Sequence, residues 1–259
     1  MTKTPFLCLA LLLAGCATNR AAEQNAASLP PAGATFRLPP THRLDLFDAA
    51  RRRAIPVALY APTKPARASK RKLALFSHGY GGQHIGYSFV ARTLAAHGYL
   101  VASVQHELPT DEPLPQTGNP REVRRPNWNR GVQNLAFVRR ELLRTHPELD
   151  SLHLLVAGHS NGGDMSVLFA EQHPQLVEKL ISLDHRRMPL ARARTPQVLS
   201  IRSSDQVADP GVLPTPDEQA AQGMKIVQLP ATIHNDMWDG GTPQQRQEIE
   251  DHISRFLGN

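Results

Sequence analysis

Residues 152–173 constrain the fold of this chain more than any other stretch. Leu152 to Ala157 is a short apolar run broken only by His153, and it reads as a buried strand. It passes through Gly158-His159-Ser160-Asn161-Gly162 into a helical pattern over 163–173. G-x-S-x-G between a strand and a helix holds a serine on a sharp turn at the strand's end. Glycines two residues to either side suit such a turn, because Cβ atoms there would collide with the neighbouring strand and helix. The hydroxyl then stands over a helix N-terminus, where amide groups and the dipole favour negative charge. The pentapeptide alone is equally compatible with an inert turn, so its meaning depends on what the other strands bring to it.

Those strands follow an alternating plan. Residues 73–77, LALFS, form a continuous apolar run that ends in His78-Gly79-Tyr80-Gly81-Gly82. A helix is expected over 88–97, closed by Gly98, and a second buried strand over 99–104. This βαβ alternation predicts an α/β domain with a largely parallel sheet. Residues 42–47 and 55–60 read as an antiparallel hairpin at a sheet edge, where Pro56 is tolerable. Residues 105–127 are polar and proline-rich and read as a long loop rimming the crevice, with a helix following from Gly131 to Thr145. In that rim Trp128 reads as a packing anchor before a substrate wall. Further strands are expected over 176–183, 196–201 and 224–229. A last helix starts at Thr242, with Pro243 at its first position and Gln245 completing a capping box.

The chain has 259 residues, 41% of them hydrophobic, which is enough for one sizeable domain. Its formal net charge is +6, spread over Arg51-Arg52-Arg53, Lys70-Arg71-Lys72, Arg124-Arg125 and Arg186-Arg187. With aromatics at only 5%, this reads as a solvated basic surface, not a nucleic-acid face. Both cysteines, Cys8 and Cys16, lie in the first sixteen residues, so the folded part has no disulfide, thiolate nucleophile or cysteine metal site. No H-E-x-x-H and no G-x-x-x-x-G-K-[ST] occurs, and no metal or cofactor is expected.

Nucleophilic acyl transfer needs a base for the hydroxyl proton, an acid to orient the base, and donors for the oxyanion. In an α/β sheet each sits on a loop at a strand's C-terminal end. The chain offers Ser160, then Asp205, then His234, each after a successive strand. Asp184, directly after the strand at 176–183, is the rival acid. The oxyanion donors would be the amides of Asn161 and Tyr80; one such donor is worth about 3–4 kcal/mol in known hydrolases. Asp209, Asp236 and Asp239 read as loop-capping residues, and His78 and His159 as neighbours of the motifs.

The strings Ser77-His78-Gly79-Tyr80-Gly81-Gly82 and Gly158-His159-Ser160-Asn161-Gly162-Gly163, with His234 behind them, resemble those of α/β-hydrolases. From about residue 44 to 256 the chain is similar to the dienelactone-hydrolase-like and platelet-activating-factor-acetylhydrolase-like esterases. That resemblance implies an α/β-hydrolase fold without a large cap domain, and a serine carboxylester hydrolase acting on small esters without metal or organic cofactor. The segment 204–208 is similar to the acid loop of cutinase-like polyesterases, which favours Asp205. The segment 183–190 resembles acetylhydrolases whose acid comes one strand earlier, which would make it Asp184. The same triad could serve a peptidase or acyltransferase, and a crevice without catalysis could serve a binding lipoprotein.

Lys3 followed by an apolar stretch over 5–14 reads as a signal peptide. It ends in Leu13-Ala14-Gly15-Cys16, which resembles the lipobox of bacterial lipoproteins. The resemblance implies cleavage after residue 15, lipid on Cys16, and, with Ala17 next, a place on the outer membrane facing the periplasm. The expected organisation is therefore a leader at 1–15, a lipid-anchored tether at 16–40 that could reach about 70 Å, and the enzyme domain at 41–259.

Overall fold

The computed structural model describes Met1, residues 42–62 and residues 70–258. Apart from Met1, the expected leader, tether and lipidation residue Cys16 lie outside the described residues.

Eight strands form one sheet in the order β1-β2-β4-β3-β5-β6-β7-β8. They are β1 (His42–Asp48), β2 (Arg53–Tyr60), β3 (Arg71–Ser77), β4 (Tyr99–Val104), β5 (Leu149–His159), β6 (Val177–Leu183), β7 (Gln197–Arg202) and β8 (Lys225–Gln228). β1 and β2 pair antiparallel, and β2 joins the sheet antiparallel to β4. All other pairings are parallel. Pro56 lies opposite Asp45 of the edge strand, as the hairpin reading expected.

Period-2 alternation along the buried strands sends neighbouring residues to opposite faces. Leu73, Leu75, Leu154, Val156 and Leu180 pack against α3 (Arg125–Thr145) and α4 (Ser160–Gln172). Ala74, Phe76, Leu155, Ala157 and Ile181 pack against α1 (Ser88–Ala96) and α6 (Pro243–Leu257). Both faces are therefore covered, which is why these strands read as unbroken apolar runs. Full burial of a side chain such as Phe76 contributes about 1.5–3 kcal/mol.

Two expectations are corrected. The stretch 105–127 is not a structureless loop: it holds the short helix α2 (Pro120–Val123), and α3 starts at Arg125, six residues before Gly131. Pro126 concealed that start, although proline is tolerated in a helix's first turn. A further helix, α5 (Pro216–Gln222), was not anticipated, because it buries no residue and so has no apolar stripe to find.

The sheet order turns at β3, whose neighbours β4 and β5 carry the chain to opposite sides. Ligands in open α/β sheets bind in the crevice at the C-terminal ends of the strands flanking such a point. Here those ends carry the His78–Gly82 turn and Ser160.

Candidate active site

Ser160 opens α4 directly from the end of β5, with a backbone φ of 52°. A non-glycine residue in that region is strained by about 1–3 kcal/mol. Two glycines make the turn possible. A Cβ on Gly158 would lie 2.3 Å from the carbonyl oxygen of Gly162, and one on Gly162 would lie 2.3 Å from that of His78. The second contact brings the N-terminus of α4 directly beside the turn after β3.

The hydroxyl of Ser160 donates to Nε2 of His234 at 3.0 Å. His234 sits on a short 3-10 turn (His234–Asp236) after β8. Its Nδ1–H donates to Oδ2 of Asp184 at 2.6 Å. The sequence favoured Asp205 for this contact, and the structure corrects it. The Oδ1 of Asp205 instead accepts the backbone N–H of His234 at 2.7 Å, holding the turn that carries the ring. The Nδ1 side of the ring is occupied by Asp184, the rival.

Asp184 ends β6 and, like Ser160, has a φ of 52°. Its side chain is wholly buried and fully engaged. Besides His234, Oδ2 accepts the hydroxyl of Ser203 at 2.6 Å, and Oδ1 accepts the Ser203 N–H at 3.1 Å. Arg202 Nη2 lies 2.7 Å from Oδ1, an ion pair with both partners buried. Burial alone would raise the carboxyl's pKa. The His234 hydrogen bond, the Arg202 charge and Ser203 outweigh it and bring the pKa down to about 2. The group is an acceptor at any physiological pH, which fixes the Nδ1–H tautomer of His234 and leaves Nε2 free to take a proton. Sequence reading did not single out Arg202 or Ser203. Their position at the C-terminal end of β7, the strand next to the one that carries the rival acid, was the available signal.

His159, next to Ser160, is buried with its ring 4.7 Å from that of His234. Burial first, then the nearby His234, hold its pKa well below the usual histidine range, so it stays neutral. Tyr87 Oη donates to His159 Nδ1 at 2.8 Å and accepts the Gly79 N–H at 3.2 Å, tying the Ser160 turn to the turn after β3.

Of the two expected oxyanion donors, Asn161 follows Ser160 at the start of α4 and Tyr80 lies on the turn after β3. Among the described residues, neither the Tyr80 nor the Asn161 backbone N–H meets an acceptor. The side chains of both are committed elsewhere. Asn161 Oδ1 accepts the Trp128 indole N–H at 2.7 Å, and its amide donates to Asn127 at 2.9 Å. Trp128 is thus a buried anchor that fixes the residue after Ser160. Tyr80 Oη accepts the Leu114 N–H at 2.9 Å, pinning the rim loop. Of the aspartates read as capping residues, Asp239 accepts the N–H groups of Ser88 and Phe89 at the start of α1, and Asp209 pairs with Arg187.

Among the described residues, no group of three or more His, Cys, Asp or Glu side chains is gathered as metal ligands would be. No helix among them is long and apolar enough to cross a membrane.

The family model described as serine aminopeptidase, S33, matches residues 68–183. The match spans β3 to β6, includes Ser160 and stops one residue short of Asp184. No curated protein matches the sequence. Among solved structures, a ferulic acid esterase from Streptomyces cinnamoneus superposes with a TM-score of 0.59 at 19% identity, covering 85% of this chain and 91% of that one. Esterase 2 of Thermogutta terrifontis gives a TM-score of 0.60 at 12% identity, covering 86% and 96%. Est1E from Butyrivibrio proteoclasticus gives 0.56 at 14% identity, covering 83% and 97%. With its sheet order, its serine turn and these superpositions, the chain is an α/β-hydrolase-fold protein.

Proposed function

We propose that this protein is a serine hydrolase of carboxylic esters. The single observation that carries the reading is the unbroken line Ser160 Oγ–His234 Nε2, His234 Nδ1–Asp184 Oδ2, at 3.0 and 2.6 Å. In the proposed reaction, His234 takes the proton of Ser160 as the oxygen adds to the ester carbonyl. The resulting oxyanion accepts from the amides of Tyr80 and Asn161. Protonated His234, held by Asp184, returns the proton to the departing alkoxide, leaving an acyl-serine. Water, activated by the same imidazole, then releases the acid and restores Ser160.

The structural neighbours whose names say esterase support an ester over an amide substrate. An apolar side chain also stands exposed on the turn that carries the base: Ile233, next to His234. It offers an apolar contact for the acyl or alcohol part of a small ester. Hydrolysis of a chain-length series of 4-nitrophenyl esters, compared between the wild type and Ser160→Ala, tests the proposal. Turnover lost in the variant supports it; equal turnover in both sinks it.

For location, the Leu13-Ala14-Gly15-Cys16 string supports a lipid anchor at the bacterial envelope. Metabolic labelling with a fatty-acid probe, lost in Cys16→Ser, is the expected result. Equal labelling of the two would overturn that placement.

A further inference from the structure

The Gly79–Tyr80 peptide is gripped through its oxygen. Gly79 O accepts the Gly82 N–H at 2.9 Å and the His78 Nδ1–H at 2.8 Å. The far side of the ring fixes the direction of the second bond. There His78 Nε2 accepts the His106 N–H at 3.0 Å, which leaves the proton on Nδ1. Glu107 Oε2 is farther from that nitrogen, at 3.4 Å. Burial pulls the pKa of His78 down to about 4, so the ring stays neutral and keeps this tautomer. Both lone pairs of Gly79 O are thus engaged. In a planar trans peptide that sets the direction of the Tyr80 N–H, which points away from that oxygen.

The preceding amide is held by one hydroxyl. Gly79 N–H donates to Tyr87 Oη at 3.2 Å, and the same oxygen donates to His159 Nδ1 at 2.8 Å. Burial pushes the phenol's pKa upward, so Oη keeps the proton that it gives to His159. Tyr87 is buried, with its ring 5.0 Å from that of Phe76, and it precedes α1, whose first two amides Asp239 accepts. These groups close on one another. A Cβ on Gly79 would lie 2.9 Å from His159 Nδ1, 3.2 Å from Tyr87 Oη and 3.5 Å from the Cβ of Ser160. The turn after β3 therefore stands against Ser160 itself. Tyr87 Oη bonds to the residue before Tyr80 and to the residue before Ser160.

We infer that Tyr87 is a positioning residue of the hydrolysis: with the His78 ring, it holds the Gly79–Tyr80 peptide so that the Tyr80 N–H meets the oxyanion formed at Ser160. The inference rests on the ester-hydrolase reading above and adds residues that touch no substrate. A hydroxyl bonded to both turns sets their separation, and a misplacement of about 1 Å in such a site costs about 100-fold in rate. The effect belongs to the transition state, because the carbonyl oxygen of a bound ester carries little of the charge that the donor stabilises.

Tyr87→Phe keeps the ring and removes the hydroxyl. On 4-nitrophenyl butyrate it should lower kcat by about 10- to 100-fold, with KM within about twofold of the wild type. Inhibition by a trifluoromethyl alkyl ketone gives a second measure. Ser160 Oγ adds to its carbonyl carbon, the π pair moves onto the oxygen and the hydroxyl proton passes to His234, so the adduct holds an oxyanion without turnover. Its inhibition constant should weaken in Tyr87→Phe by the same factor as kcat/KM. His78→Asn, whose side-chain amide can donate to Gly79 O, should retain more kcat than His78→Leu, which has no donor. Tyr99→Phe removes the hydroxyl of a buried tyrosine at the start of β4, the opposite end of the sheet. It is the control for lost stability and should keep kcat.

Unchanged kcat and ketone affinity in folded Tyr87→Phe overturn the role and leave the hydrolase reading standing. So does a loss confined to KM, or one that Tyr99→Phe matches. If Tyr87→Phe does not fold, the His78 variants decide, and equal kcat in His78→Asn and His78→Leu overturns the role. A wild type that neither cleaves the ester nor takes up the ketone removes the hydrolase reading, and this role falls with it.

Discussion

Asp184 and His234 meet at 2.6 Å across the ends of β6 and β8, with Arg202 held 2.7 Å behind the carboxylate. The carboxylate that meets the His234 ring is therefore itself braced by a buried cation. Its negative charge is compensated on one side by Arg202, while its second oxygen is presented to the imidazole and Ser203.

That geometry separates the two aspartates. Asp184→Asn should lower kcat/KM by about four orders of magnitude, the loss seen when the orienting carboxylate of a Ser-His-Asp triad is removed. Asp205→Ala, which removes only the acceptor for the His234 N–H, should cost about 10- to 100-fold. Steady-state kinetics on one ester distinguishes them; a larger loss in Asp205→Ala would reverse the assignment.

Arg202 carries a stability prediction. Arg202→Gln leaves the buried Asp184 carboxylate without its cation and should cost about 3–5 kcal/mol in a denaturant titration. It should also raise the carboxyl's pKa from about 2. The stability contribution of a depressed carboxylate is present above its unfolded value of 3.8 and lost as pH falls through about 2. In the variant the contribution should be smaller, and its loss should be complete at a higher pH.

Glu107 gives a pH dependence of the opposite sign. It is largely buried, with Oε2 3.4 Å from His78 Nδ1. Burial pushes its pKa from an ordinary 4.5 up to about 7, against the pull of Arg130 and Arg53. The folded state therefore binds this proton more tightly than the unfolded state does. The contribution is full below pH 4.5 and is lost as pH rises through about 7. Glu107→Gln keeps the shape without the titration. Its melting temperature relative to the wild type should be higher at pH 8 than at pH 5, and a flat difference would contradict the account.

The parts of this molecule that were legible in the sequence are those encoded locally. Leu73 to Ser77 and Leu154 to Ala157 announce buried strands by composition, and Gly158 and Gly162 announce the turn by the space they leave. His234 was found because it stands on the loop directly after the last strand, whereas His252 lies in the final helix. The choice between Asp184 and Asp205 was not encoded that way. Both stand at strand ends, and the outcome depends on a positive φ at Asp184 and on which carboxylate accepts the backbone amide of His234. The contact of Arg121 with Arg187 O was equally illegible, because it joins two loops 66 residues apart in sequence. Short helices such as α5, which bury no residue, leave no periodic trace.

The central claim is that Ser160 is a nucleophile activated by His234. Labelling of the folded protein with a fluorophosphonate probe, followed by peptide mapping, tests it most directly. One covalent adduct is expected on the peptide containing Ser160, abolished in Ser160→Ala and strongly slowed in His234→Ala. A folded wild type that takes no label, or label that persists in Ser160→Ala, would contradict it.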